Sequence, residues 1–251
     1  MSLSVIIIAK NAEPTIRRCI ESVAWADEIV VAEHGSVDRT AELCRELGAK
    51  VYRTPDWPGF GPQKNRALDR AMSEWVLSLD ADEHVPGELR AEIQEATASP
   101  GQAVAFEVPR LSSYCGRTLR HGGWWPDRVV RLFRRGHARF SDARVHERLQ
   151  VEGAIGRLKS HLMHESFRDP AQVLEKINLY SSEGARMLAD RGRRAGIGTA
   201  LVHGFWAFIR IYFLKRGFLD GREGIANAIS TAEASYYRYL KLMYLNESEK
   251  R

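Results

Sequence analysis

The sequence predicts an α/β fold, a doubly wound, mostly parallel, Rossmann-like sheet with a helical C-terminal extension. Two observations carry this expectation. Apolar strand-like runs alternate with stretches of helical periodicity as far as Asp80, the pattern of a parallel sheet covered on both faces. Polar clusters at Asn11, at 33–36 and at 80–83 each follow the carboxyl end of a predicted strand, the edge at which such sheets bind ligands.

Leu3–Ala9 is a continuous apolar run, as expected of a strand buried on both faces. Ile16, Cys19, Ile20 and Val23 then recur at helical spacing, with Pro14 near the helix start. Residues 28–32 read as the second strand. Ser36 is the expected cap of the next helix, with Asp38 in its first turn, where a negative charge suits the dipole. Lys50–Arg53 is a short third strand, 55–62 a loop rich in Pro and Gly, 63–72 a helix, and 75–79 a fourth strand that stops at Asp80. Beyond Gly101 the pattern changes. Segments 104–108 and 128–133 read as strands on either side of a Gly- and aromatic-rich loop. From Asp169 onward the chain reads as helical, opened by an acidic N-cap, Pro170 in the first turn and Gln172 three residues after the cap. The expected division is an α/β domain over 1–168 and a helical region over 169–251.

A chain of 251 residues can bury a substantial core without staples. Its 44% apolar and 27% charged content excludes a disordered polymer. Cys19, Cys44 and Cys115 are far apart, and no C-x-x-C pair exists. A structural zinc site is therefore not expected, and the cysteines read as small core residues in a reducing compartment. The net charge of +5 admits nucleic acid, anionic membrane or phosphorylated ligands as partners. No nucleic-acid-binding motif is present, so nucleic acid is not expected. Lys10-Asn11-Ala12-Glu13 stands where a dinucleotide oxidoreductase would carry G-x-G-x-x-G. The N-terminus runs directly into a strand without a small-residue cleavage site, and a cytoplasmic location is expected. Segment 200–214 is apolar and aromatic but interrupted by His203 and Arg210, too short and broken for a membrane span. It reads as a helix lying on the inner face of the cytoplasmic membrane, or packed on the first domain or on a second subunit.

Asp80-Ala81-Asp82-Glu83 follows a buried strand. Hard divalent cations take oxygen ligands, and Mg²⁺ at phosphate sites uses one or two carboxylates with phosphate oxygens. Two carboxylates two residues apart at a strand end can approach one ion, Mg²⁺ or Mn²⁺, which would neutralise a departing diphosphate. Trp124 and Trp125, in a Gly-rich loop, are candidates for a platform against the flat face of an acceptor sugar, with one of the two packing inward. The arginines at 128, 131, 134, 135, 139, 144 and 148 form either a solvated face or a surface for an anionic acceptor, with Arg128 the candidate contact.

These segments, taken in order, resemble the family-two glycosyltransferases: Leu3–Ala9 with Lys10-Asn11, Asp27-Glu28-Ile29-Val30-Val31, Gly35-Ser36-Val37-Asp38-Arg39-Thr40, Gly59-Phe60-Gly61-Pro62-Gln63-Lys64-Asn65 and Leu79-Asp80-Ala81-Asp82-Glu83. The resemblance runs on through Val145-His146-Glu147 and Asp220-Gly221-Arg222-Glu223-Gly224, and is nearest to the bacterial lipopolysaccharide core β-1,4-glucosyltransferase type. It implies a GT-A fold, a nucleotide diphosphate sugar donor such as UDP-glucose, inversion at the anomeric carbon, and a glycan or glycolipid acceptor. By the same resemblance Ala9 and Asn11 lie by the nucleotide, Glu33, Gly35, Ser36 and Asp38 meet base and ribose, and Lys64 meets the diphosphate. Asp80 and Ala81 lie along ribose and sugar, Asp82 binds the metal directly, and His164 completes the metal or diphosphate site. The family usually has Asp-Ser-Gly-Ser where this chain has Glu33-His34-Gly35-Ser36, a departure that bears on which base fits. The acceptor hydroxyl needs a base. Glu147 occupies the place of the family's acidic motif, and Asp127 is the alternative. A polyprenyl-phosphate sugar synthase and a non-catalytic sugar-binding relative share these features and remain rival readings.

Overall fold

The computed structural model describes residues 2–141 and 148–248. Its first half alternates β1 (Leu3–Ala9), α1 (Glu13–Ser22), β2 (Glu28–Glu33), α2 (Thr40–Glu46), β3 (Lys50–Arg53), α3 (Phe60–Leu68) and β4 (Trp75–Asp80). A short β5 (Glu83–His84) and α4 (Gly87–Ala98) follow. Next come β6 (Ala103–Tyr114), β7 (Arg117–Thr118), β8 (Asp127–Arg134), β9 (Ala138–Phe140), β10 (Leu149–Val151), β11 (Ala154–Arg157) and β12 (Leu162–Phe167). The remainder is helical: α5 (Pro170–Asp190), α6 (Ile197–Ile209) continued by a π-helical turn Arg210–Leu214, a 3-10 turn Gly217–Asp220, and α7 (Gly221–Ser248).

The main sheet has the order β3-β2-β1-β4-β8-β6-β12-β5, with β7 and β11 on β6. β1 pairs in parallel with β2 and β4, and β2 with β3. β8 joins β4 and β6 antiparallel. The doubly wound expectation follows from the side-chain alternation of β1. Leu3, Val5, Ile7 and Ala9 enter one core cluster with Ile16, Cys19 and Ile20 of α1 and Leu89 and Ile93 of α4. Ile6 and Ile8 enter the other, with Ala67 and Leu68 of α3 and Phe133 of β8. A strand that is apolar at every position is therefore one that feeds two cores.

Two compact units emerge: Met1–Arg110 with Asp127–His164, and Leu111–Pro126 with Glu165–Arg251. The second division falls between His164 and Glu165, and the loop between β6 and β8 groups with the helices. In the helical unit Tyr114, Leu119 and Val173 form a buried cluster with Trp124, Phe167 and Ile177 against it. Asp169 accepts a hydrogen bond from the Gln172 amide at 2.9 Å, the N-cap expected from the sequence, while the Gln172 side chain reaches one residue beyond the cap and accepts from the Arg168 amide at 2.9 Å. Lys241 of α7 donates to Asn178, Ser181 and Ser182 of α5.

Two local expectations need correction. Ser36 does not cap α2, which begins at Thr40 without a side-chain cap. The Ser36 hydroxyl instead accepts from the Asn11 amide at 3.1 Å. The helix expected over 63–72 starts earlier and stops sooner, at Phe60 and Leu68. Gly59, at φ 122°, makes the turn into it, and Pro62 falls in the first turn, where a missing N–H costs nothing. Cys19 and Cys44 are buried and unbridged, as expected.

Candidate active site

The parallel register puts the chemistry-bearing strand ends at one level. Ala9 lies opposite Glu33, and Ile8 opposite Asp80. The loops leaving β1 and β2 are then laced together. Asn11, at φ 49°, a region that Asn tolerates better than most residues, accepts from the Val37 amide at 3.0 Å. Asp38 accepts from the Glu13 amide at 3.1 Å, and Glu13 in turn accepts from the Arg39 amide at 3.0 Å. Burial alone would raise the Asp38 pKa, but hydrogen bonds from the Thr40 hydroxyl, the Thr40 amide and the Glu13 amide hold it below its ordinary value. Ser36 and Asp38 thus order the two loops. Gly35, at φ 59°, makes the turn between them.

Glu33 is buried at 1% exposure. One carboxylate oxygen accepts from the Ser36 amide at 2.5 Å. The other has no hydrogen-bond partner among the described residues, although Arg53 lies 3.5 Å away. His34 holds its Nδ1 3.2 Å from the Thr54 carbonyl. Its ring lies 6.0 Å from that of Trp57, which meets Phe60 edge to face at 5.1 Å. An acceptor oxygen and three rings therefore gather at the ends of β2 and β3.

The residues of α3 divide three tasks. Gln63 donates to the Thr54 hydroxyl at 2.9 Å. Lys64 places its ammonium 2.9 Å from Asp80. Asn65 both donates to the Phe140 carbonyl at 2.9 Å and accepts from its amide at 3.0 Å. Beyond Phe140, the Ser141 amide donates to the Arg148 carbonyl at 2.9 Å. Glu147 lies outside the described residues; its neighbour Arg148 is held by that contact.

Asp80 and Asp82 have different surroundings. Asp80 accepts from Arg131 at 2.5 Å and pairs with Lys64. Arg131 also donates to the buried Glu83 at 2.6 Å, whose second oxygen accepts from the Asp80 amide at 3.0 Å. Arg110 reaches Glu83 at 3.3 Å and Asp127 at 2.7 Å. Burial alone would push the Asp80 pKa up, but the charges of Arg131 and Lys64 hold it well below the usual carboxylate range. Burial would lower that of Arg131, and Asp80 and Glu83 raise it instead. Lys64, Arg131 and Arg110 balance Asp80, Glu83 and Asp127. Asp82 stands outside this balance, with its side chain 33% exposed and 3.6 Å from the His164 ring nitrogen. The register explains that approach: His164 of β12 lies opposite Glu83 of β5.

Among the described residues no group of three or more His, Cys, Asp and Glu side chains is arranged to hold a metal. Asp82 and His164 still fit a divalent ion that completes its shell from a ligand. Adjacent ligands of an ion with bonds of about 2.1 Å sit about 3 Å apart, close to the observed spacing. Ala81 lies between the two carboxylates, partly buried against the core.

The remaining candidates separate. Asp127 has one oxygen engaged by Arg110. Arg128 pairs with Glu107 at 3.4 Å. Trp124 and Trp125 belong to the helical unit, where the Trp124 indole donates to Asn227 at 3.1 Å and its ring packs against Tyr114 and Phe167. The arginine run is not one surface. Arg131 is buried, Arg134 pairs with Glu74 and Arg139 with Asp69. Arg131, Arg110 and Glu83 were not singled out from the sequence. The available signal was Arg131 standing between Val129-Val130 and Leu132-Phe133 in an otherwise apolar strand, an unusual place for a charge.

The glycosyl transferase family 2 model matches residues 4–149, and the chain belongs to that family. Its fold is GT-A and it is a glycosyltransferase. It is 31% identical over 256 residues to an uncharacterised glycosyltransferase of Rickettsia typhi, covering 97% of this chain and 87% of that one. It is 29% identical over 257 residues to the lipopolysaccharide core biosynthesis glycosyltransferase LpsC of Rhizobium meliloti, covering 95% and 93%. Among solved structures, S. aureus TarS in complex with UDP-GlcNAc matches with a TM-score of 0.51 at 16% identity, over 98% of this chain and 92% of that chain, a likeness of fold.

Proposed function

We propose that this glycosyltransferase moves a hexose from a nucleotide diphosphate sugar, UDP-glucose-like, to a hydroxyl of a lipopolysaccharide core or related glycan, with inversion and with Mg²⁺ or Mn²⁺ held by Asp82 and His164. The observation that carries the reading is the unequal treatment of the two carboxylates. Asp80 is fixed by Lys64 and Arg131, while Asp82 is open beside His164. A divalent ion at that pair would offset the charge gathering on the departing diphosphate. Glu33, one of whose oxygens has no hydrogen-bond partner among the described residues and lies 3.5 Å from Arg53, is the candidate acceptor for a base or ribose, and the His34, Trp57 and Phe60 rings are candidates for apolar surface beside it. Lys64, its ammonium 2.9 Å from Asp80, would serve the diphosphate as a point charge. The acceptor class is inferred from the Rhizobium meliloti relative, whose name places it in lipopolysaccharide core biosynthesis.

In an inverting transfer the acceptor oxygen attacks the anomeric carbon opposite the leaving group, the bond to the diphosphate breaks, and the hydroxyl proton passes to a carboxylate. We assign that role to Glu147, with Asp127 the alternative. Glu147→Gln is expected to retain donor binding and lose transfer. Full activity in that variant moves the assignment to Asp127.

The whole reading is tested by a thermal-shift screen of nucleotide diphosphates and their sugars, with and without Mn²⁺ or Mg²⁺. A ligand at 100 times its Kd stabilises the native state by about 2.7 kcal/mol. Metal-dependent stabilisation by one nucleotide is the expected result. A well-folded sample that responds to none of them overturns it.

A further inference from the structure

The helical unit carries a surface that sugar transfer does not use. Within it, α6 and its π-helical turn form a stretch long and apolar enough, by length and composition, to cross a membrane. One side of that stretch is already committed. A Cβ on Gly204 would lie 3.0 Å from the Tyr236 side chain and 3.3 Å from the Ala232 carbonyl of α7. The His203 ring stacks on Tyr239 at 3.9 Å. Its partner α7 carries Arg222, Glu223, Glu233, Arg238 and Lys241, too many charges for a spanning neighbour, so the pair does not read as a membrane-crossing bundle.

The other side is open. Leu201, Val202, Phe205, Trp206 and Phe213 are exposed, with Phe205 at 70% and Trp206 at 53%. At helical spacing they fall on one arc, and His203 and Arg210 lie off it. Burying such side chains in water-free surroundings is favourable, and Trp suits a boundary with one apolar and one wet side. Basic residues mark both ends of this stretch. From 191 to 216 the chain carries Arg191, Arg193, Arg194, Arg210, Lys215 and Arg216 and no Asp or Glu. Those six are exposed. A cleft of about 410 Å³ lined by Arg193, Arg194, Thr199, His203 and Tyr239 opens at the N-terminal end of α6, where an anionic headgroup would meet two guanidinium groups.

An apolar arc flanked by cations, on a helix whose back is bonded to its own unit, is the surface of a helix lying in a membrane interface. We propose that the outer face of α6, with its flanking arginines and lysine, seats the protein on an anionic phospholipid surface. Each cation near such a surface adds to the attraction, and salt weakens it. A second copy of the chain would bury the same apolar arc but would bring like charges together at both ends.

The test is co-sedimentation of the full chain with vesicles of phosphatidylglycerol and phosphatidylethanolamine, compared with pure phosphatidylcholine. The expected result is binding to the anionic vesicles that weakens with salt. Phe205→Asp with Trp206→Asp should reduce it at least tenfold, and Arg193→Gln with Arg194→Gln by less. Both pairs are exposed, so the melting temperature and the nucleotide response should stay as in the wild type, which separates this proposal from the donor reading. Equal binding by the Phe205→Asp, Trp206→Asp variant overturns it. So does absence of binding to the anionic vesicles by the wild type, and a dimer, seen by light scattering, that the same variant dissociates would then assign the arc to a second copy.

Discussion

Asp80 and Asp82 are separated by one alanine, and their neighbours give them different work. Asp80 is clamped by Lys64 and Arg131, so it organises the site, whereas Asp82 faces His164 and solvent. Asp82→Ala is therefore expected to abolish metal-dependent turnover while changing folding stability by no more than about 0.5 kcal/mol, read by urea denaturation beside an activity assay. Arg131→Met should behave in the opposite way. It leaves the buried Glu83 without its nearest cation, and losing one partner of a buried pair costs about 3–5 kcal/mol, visible as a lower urea midpoint even without ligand. A third residue tests the electrostatics of the sheet. Burial alone would raise the pKa of Glu28, but Lys50, the Ser4 hydroxyl and the Met72 amide lower it to about 2. A carboxyl depressed in the folded state adds stability above its unfolded pKa and loses it as pH falls through the folded one. Melting temperature should fall between about pH 4 and about pH 2, and Glu28→Gln should flatten that part of the profile. Asp82 stood out as a candidate in the sequence because D-x-D follows an apolar strand. Arg131 did not, because its partners Asp80 and Glu83 come from elements far away in the chain, and in the sequence it merges with a run of surface arginines.

At the scale of elements, local patterning was most legible where one strand serves two cores, as in β1, and where a cap is complete within four residues, as at Asp169. It was least legible where a side chain serves a neighbouring loop. Ser36 and Asp38 look like helix-start residues, but they lace the loop after β1 to the loop after β2. The tail segment Asp220-Gly221-Arg222-Glu223-Gly224 is likewise a junction. Asp220 accepts from the Arg120 and His121 amides at 3.2 and 2.8 Å and from the His121 ring at 2.9 Å. A Cβ on Gly224 would run into the Gly217 carbonyl. Gly224→Ala should consequently force the start of α7 away from the preceding turn and cost about 1–3 kcal/mol. Gly198→Ala, where a Cβ meets nothing, is the control, and the comparison needs only two denaturation curves.

At the scale of the molecule, each unit has a core of its own, and the two carry different surfaces. The α/β unit presents the level strand ends, the Lys64-Asp80-Arg131-Glu83 network and the Asp82-His164 pair. The helical unit presents an apolar arc with cations at both ends. The alternating half of the chain announced its architecture because each element repeats a simple period. Of the later strands β6 and β8 were legible, but β5 and β7 are two residues long and β9 to β11 three or four, too short to show a period.

The proposed function turns on Asp82 and His164 binding a divalent ion together with a nucleotide diphosphate. Isothermal titration of the nucleotide chosen by the thermal-shift screen, with Mn²⁺ and then with EDTA, tests it directly in wild type and Asp82→Ala. Tight binding is expected in wild type with Mn²⁺, weakened at least tenfold by EDTA, and weak binding in Asp82→Ala whether or not Mn²⁺ is present. Equal affinity in EDTA, or an Asp82→Ala variant that keeps the full metal-dependent gain, would contradict it.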